Sequence, residues 1–419
     1  MEKYCIIDPG AVKRISEFAT KFYAKKAFLV GDGNTFPLAG IEIEKQLNAC
    51  DIKTVTYVLK AGKLEPNEQA VGSLMLHYNA ECDLIIGIGS GVINDLCKLL
   101  AHQTKNPYII VATAPSMDGY ASPSSSMLRD GLKVSIPTKR ADVIVADLNI
   151  VKKAPMSMLK AGLGDMLAKY VGICEWRIGH VITGEAYDEE IANSVRQALK
   201  KCVEHADGLI NRDEDAVRSV FEGLILTGEA MEKAGVSRPA SGAEHYFSHI
   251  WDMRGLEFGT SVELHGLQCA IMTRLCIKIY QKLKHIIPDE ALALQKARSF
   301  DREKWNAQLR SFLGKAAEPM IALEECEGKY DCEKHKKRLA TILDNWSEIV
   351  KIIEEELPTE EEIDALFATV EMPHTIGGED MQHDVLAMTV NAGKDIRDKY
   401  VLPRLMWDLG VLDKLCEDL

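Results

Sequence analysis

A chain of 419 residues, 47% hydrophobic and 27% charged, can bury a large core in two domains, and its composition excludes a disordered polymer. Its net charge of −13 excludes a general nucleic-acid binder, which carries a basic footprint, and requires any phosphate-bearing ligand to be met by a local cluster of donors. Eleven scattered cysteines form no disulfide framework, the N-terminus MEKYCIIDPGAVKRI lacks the apolar core of a secretory signal, and no apolar run approaches the roughly 20 residues of a bilayer span, so a cytoplasmic protein with reduced thiols and no transmembrane segment is expected.

Short apolar, β-branched runs alternate with helical patterns over the first 150 residues, the signature of a parallel sheet with crossovers. They are Lys26–Val30, Thr54–Val58, Leu84–Ile88, Tyr108–Ala112 and Val143–Ala146. Beyond residue 151 strand signals become rare, and Leu159, Leu163, Leu167, Val171 and Cys174 recur near every fourth position. The expected fold class is therefore α/β, with a Rossmann-like parallel-sheet domain over 1–152 and an all-helical domain over 153–419. Residues 324–357 are charge-dense and read as a solvated helical excursion; Cys326, Cys332 and His335 within it lack the paired spacing and fourth ligand of a zinc cluster.

Two turns at strand ends carry ligand chemistry. Gly89-Ser90-Gly91-Val92-Ile93-Asn94-Asp95 follows a strand and opens a helix, where glycines admit a pyrophosphate to the backbone and free N–H groups face it. It is neither GxGxxG, since Asn94 holds the third glycine position, nor a Walker loop, and such a turn also joins strand to helix with no ligand at all. The second turn, Thr113-Ala114-Pro115-Ser116-Met117-Asp118-Gly119, gathers hydroxyls where a parallel sheet opens its crevice. Asp32, at the end of the first of these strands, suits a ribose hydroxyl or an ordinary turn.

Asp165 lies in AGLGDM at the start of a helical pattern; His245 and His249 are one helical turn apart, and His265 follows in LHGLQC. Three nitrogen or oxygen ligands with one open position make a catalytic divalent site, and a histidine one turn from a ligand serves as a further ligand or as an acid.

Taken together, GIGSGVINDLCK, ATAPSMDGYASPSS, AGLGDMLAKY, SRPASGAEHYFSHIWD, LHGLQCA and GKDIRDKYVLPRL resemble the superfamily that joins iron-containing alcohol dehydrogenases, glycerol dehydrogenase and dehydroquinate synthase. They are most similar to its sn-glycerol-1-phosphate dehydrogenase family, in the bacterial AraM-like branch, over roughly residues 25–403. The resemblance implies that Asp165, His245 and His265 hold Zn²⁺ or Ni²⁺, and that Asp118, Asp165 and His249 lie on the substrate. It implies an NAD(P) site lined by Gly91 to Asp95, Thr113 to Ser116 and Ser122, with Asp32 favouring NAD, and it implies a homodimer. Where the family writes HGEQV or HGxQ, this chain has His265-Gly266-Leu267-Gln268-Cys269.

The implied reaction interconverts dihydroxyacetone phosphate and sn-glycerol 1-phosphate, with the metal as Lewis acid, hydride from NAD(P)H and a proton from His249 or a water it holds. Arg238 is the first candidate for the substrate phosphate because its planar fork suits that anion, with Lys160 and Lys169 after it. The alternatives on the same scaffold are a dehydrogenase of an unphosphorylated polyol and a dehydroquinate synthase-type lyase.

Overall fold

Among the described residues eight strands organise the N-terminal part: β1 (Tyr4–Asp8), β2 (Lys26–Asp32), β3 (Lys53–Leu59), β4 (Leu84–Gly89), β5 (Tyr108–Ala112), β6 (Ser124–Arg129), β7 (Leu132–Pro137) and β8 (Val143–Asp147). This computed structural model describes residues 4–60, 62, 64–130, 132–260, 262–375, 381–417 and 419. Six of the strands form one parallel sheet in the order β1-β8-β5-β4-β2-β3, and β6 pairs with β7 as an antiparallel hairpin.

The central strands β4, β5 and β8 are buried at every position, as expected of unbroken apolar runs covered on both faces. All five expected strands are present, each within two residues of its expected ends. The sequence reading did not include β1, a short edge strand that mixes buried and exposed residues, or the hairpin, whose strands read SSSMLR and LKVSIP. Between β2 and β4 the strand order reverses, because β3 adds on one side of β2 and β4 on the other. The carboxyl ends of β2 and β4 therefore flank the point at which open parallel sheets bind ligands.

Among the described residues no strand follows Asp147, and the chain continues as helices. Compactness, however, divides it elsewhere than at residue 152: one unit is Met1–Met166 with Gln197–Gly235, the other Leu167–Arg196 with Val236–Leu419. The end of the strands marks a change in local structure, whereas the helices Met156–Leu167 and Glu214–Ala234 belong with the sheet. In the first unit, Phe18, Ile43, Leu47, Leu29, Ile86 and Val145 are among the buried residues of one hydrophobic cluster. The second unit buries Trp176, Trp251, Phe247, Tyr280 and Phe367.

The segment 324–357 is not a solvated excursion. It forms the end of one helix, then Cys332–Asp344 and Trp346–Glu356, whose Leu339, Ile342, Ile349, Ile352 and Ile353 are buried. The charge-dense composition belongs to one face of amphipathic helices, and Glu356 from the other end pairs with Arg196 at 2.8 Å.

Candidate active site

In the first unit the glycine turn forms as the sequence suggests. Gly89 ends β4 and the helix Gly91–Thr104 starts directly after Ser90. A Cβ on Gly89 would fall 2.6 Å from Ile93, so that glycine is required by packing, whereas one on Gly91 would meet nothing nearer than Met117 at 3.8 Å. The open side of Gly91 is the place where a phosphate can reach the helix N-terminus. Ser90 and Ser116 hydroxyls hydrogen-bond to each other, and the Thr113 amide donates to the Gly89 carbonyl at 3.1 Å, so the two turns are locked side by side.

Other residues expected at the nucleotide have internal work. Ile93 packs under Gly89, and Asn94 is buried, donating to the Gly119 carbonyl and accepting from the Tyr108 hydroxyl. Asp95 pairs with Lys98 at 3.3 Å, and burial lifts its carboxyl above the usual range against that ammonium. Lys98, which sequence reasoning passed over, is itself buried and donates to the Gly119, Ser122 and Ser124 carbonyls, tying down the chain around Ser122. Ala114, Ser116 and Ser122 are each less than a tenth exposed. Asp32 is half-buried and forms a tight turn, its Oδ1 accepting from the Asn34 and Thr35 amides at 2.8 and 2.9 Å.

Gly162 explains how Asp165 is placed. A Cβ there would lie 1.7 Å from the Pro115 carbonyl oxygen, so only glycine lets the helix Met156–Leu167 approach the second turn this closely. One turn later the fully buried Asp165 accepts a hydrogen bond from the Asp118 amide at 2.9 Å. Two residues expected at the substrate are thereby joined.

In the second unit the three histidines gather on two helices. His245 and His249 lie on Ala243–Phe258, and His265 opens His265–Leu283. The rings of His245 and His265 are 5.0 Å apart between centroids, and His249 stacks on His265 at 5.7 Å with 15° between planes. Hydrogen bonding fixes which nitrogen each offers. Nδ1 of His245 donates to Glu244 at 2.7 Å, which leaves Nε2 with its lone pair. Ser248 donates its single proton to Gln268 at 2.6 Å, so its oxygen accepts from His265 Nδ1 at 2.9 Å, and His265 too presents Nε2.

Cys269, one turn after His265, completes a group whose ligand atoms all lie within 4.8 Å of one another. Two imidazole nitrogens with set tautomers and a sulfur make a donor set that fits Zn²⁺ or Ni²⁺.

Behind the histidines lies a buried acidic pair. Glu175 accepts from the Ala243 and Leu402 amides at 2.9 and 2.8 Å, and Glu244 accepts from the Gly242 amide at 2.8 Å. A Cβ on Gly242 would fall 2.5 Å from Glu175 and 2.9 Å from Glu244, so the glycine of SGAEH makes room for both carboxylates. Burial, and then the Glu244 charge, pushes the Glu175 carboxyl well above its usual range.

Arg238 does not fit the phosphate role expected of it. The residue is 2% exposed, and its guanidinium holds Glu185 through two nitrogens, with 2.7 Å from Nε, and donates to the Tyr400 carbonyl at 2.9 Å. Glu185 neutralises the charge and fills the fork that a phosphate would need. Lys169 is likewise internal, donating to the Ala240 carbonyl at 3.0 Å. Sequence reasoning missed Glu244, Ser248, Gln268 and Cys269 as well; only Cys269 carried a signal, the same one-turn spacing that singled out His245 and His249.

The profile of the iron-containing alcohol dehydrogenase family matches residues 6–155. Glycerol-1-phosphate dehydrogenase (NAD(P)+) of Halalkalibacterium halodurans is 35% identical over 275 residues, 65% of this chain and 69% of that protein. The enzyme of the same name from Bacillus subtilis is 35% identical over 281 residues, 66% of this chain and 71% of its own. Glycerol dehydrogenase from Schizosaccharomyces pombe shares the fold with a TM-score of 0.58 at 16% identity, covering 100% of this chain and 90% of that one. The chain belongs to the iron-containing alcohol dehydrogenase family and, within it, to the glycerol-1-phosphate dehydrogenases.

Proposed function

We propose that this protein is an NAD(P)-linked, metal-dependent oxidoreductase that interconverts dihydroxyacetone phosphate and sn-glycerol 1-phosphate. The observation that carries the reading is the convergence of the His245 and His265 rings, 5.0 Å apart between centroids, in a chain related to glycerol-1-phosphate dehydrogenases. His245 and His265 would hold a Zn²⁺ or Ni²⁺ ion, with Asp165 as the carboxylate ligand that the family pattern implies. When bound, the metal polarises the substrate ketone as a Lewis acid and NAD(P)H supplies the hydride.

The chain's own residues supply the remainder. His249, stacked on the His265 ring, gives and takes the proton of the substrate hydroxyl, directly or through one water. Asp118, whose amide is fixed to Asp165, orients the substrate. The backbone of Gly89 to Val92 and the hydroxyls of Thr113 and Ser116 receive the nucleotide, with Ile93, Asn94 and Asp95 as their support; Asp32 meets the ribose and disfavours a 2′-phosphate. Eleven scattered cysteines with no disulfide framework support a cytoplasmic setting. A homodimer and a place in phospholipid metabolism belong to the same reading.

The test is NADH oxidation with dihydroxyacetone phosphate, with and without added Ni²⁺ or Zn²⁺, followed by chiral analysis of the product. Metal-dependent formation of the 1-phosphate enantiomer is expected. Faster oxidation of glycerol than of glycerol 1-phosphate would overturn the substrate assignment, and turnover with no net change in NADH would point to a lyase.

A further inference from the structure

We infer that the Cys269 thiolate is a direct ligand of the metal held by His245 and His265, so that the site selects a soft divalent ion, zinc above harder metals. The inference rests on the metal reading just given and deepens it. Cys269 lies one turn along the helix His265–Leu283 from His265, is fully buried, and forms with His245 and His265 the group whose donor atoms lie within 4.8 Å of one another.

The separation of its sulfur from His265 is the telling quantity. A zinc ion bonds thiolate sulfur at about 2.3 Å and imidazole nitrogen at about 2.05 Å, and a tetrahedral angle between those bonds sets sulfur and nitrogen about 3.6 Å apart. Cys269 Sγ is 3.6 Å from His265 Nε2, the nitrogen that the Ser248 hydrogen bond leaves without a proton, and 3.9 Å from Nδ1. The sulfur therefore stands along the edge of a coordination tetrahedron, on the side of the imidazole that can ligate.

On binding, the S–H bond of Cys269 breaks, the proton leaves to solvent and the sulfur lone pair goes to the metal, with no change of oxidation state. Thiolate favours zinc over magnesium, calcium or manganese, whereas an oxygen and imidazole set discriminates less.

Zinc-edge X-ray absorption fine structure on the whole protein loaded with one equivalent of Zn²⁺ tests this directly. One sulfur at about 2.3 Å beside nitrogen or oxygen ligands is expected. Cys269→Val should lose that sulfur shell and bind Zn²⁺ at least about 10-fold more weakly, since even outer partners of a ligand change affinity by that much. With Co²⁺ as probe, the thiolate-to-cobalt charge-transfer absorption should be present in the parent protein and absent in Cys269→Val. Bound zinc with a shell of nitrogen and oxygen alone would overturn the role of Cys269 and leave the histidine site standing. A sulfur shell that persists in the variant would overturn it equally, and failure to bind stoichiometric zinc would overturn both readings. Because the absorption measurement on the parent protein needs no substitution, a variant that fails to fold leaves the test intact.

Discussion

Gly162 sits so close to Pro115 that a Cβ would fall 1.7 Å from the Pro115 carbonyl oxygen, and the approach it permits is what delivers Asp165 to the Asp118 amide. Gly162→Ala should therefore cost about 1–3 kcal/mol of stability by overpacking against rigid backbone. Turnover should fall further than stability implies, because Asp118 and Asp165 lose their register. Thermal melting together with kcat measured well below the transition checks this; a variant with full activity would disconnect Gly162 from the site.

Ser248 holds the His265 tautomer by accepting from Nδ1 while donating to Gln268. Ser248→Ala should leave the fold intact and weaken metal binding about 10- to 100-fold, as loss of an outer partner of a histidine ligand does. Competition against a chelator gives the affinity. An unchanged value would mean that the ring is oriented by something other than this hydroxyl.

His249 is expected to carry the proton and not the metal. His249→Asn should lower kcat by about 10²- to 10⁴-fold at unchanged metal occupancy. Metal analysis of the purified variant separates the roles, since loss of metal would make His249 a ligand.

Glu175 gives a pH signature in stability. Its folded carboxyl is raised above the ordinary 4.5 by burial and then by Glu244, so the folded state holds a proton that the unfolded chain releases. Its contribution is fully present below 4.5 and is lost as the pH climbs through the raised folded value. Glu175→Gln, which cannot ionise, should flatten that decline; melting temperatures of metal-free protein from pH 5 upward would show the two slopes converging if Glu175 is not its source.

How much of this was legible in the sequence follows from which interactions are local. The strands β4, β5 and β8 were visible because burial on both faces leaves an unbroken apolar run, and His245, His249 and the turn at Gly89 were visible because their spacing is set within one element. The edge strand β1 and the serine-rich β6 have no such run. Ser248 and Gln268 act on His265 only because two helices meet side by side, an approach that no local pattern records. Arg238 was misjudged for the same reason: Glu185, which occupies its fork, stands 53 residues earlier in the chain. The charged stretch after residue 324 was read by composition, although its buried isoleucines already recur at helical spacing.

The first unit is assembled from two separate lengths of chain, Met1–Met166 and Gln197–Gly235. In its later length, Gly228 of the helix Glu214–Ala234 leans on the second turn: a Cβ there would lie 2.8 Å from Ala121 and 3.0 Å from the Asp118 carbonyl. During synthesis the sheet thus leaves the ribosome well before the support for Asp118 exists. A fragment ended at residue 152, just after the last strand, would carry the glycine turn at Gly89 and yet lack the backing of the loop beside it. Neither unit can be obtained by a single cut, and maturation of the Asp118 loop waits on the helix that arrives some hundred residues after it.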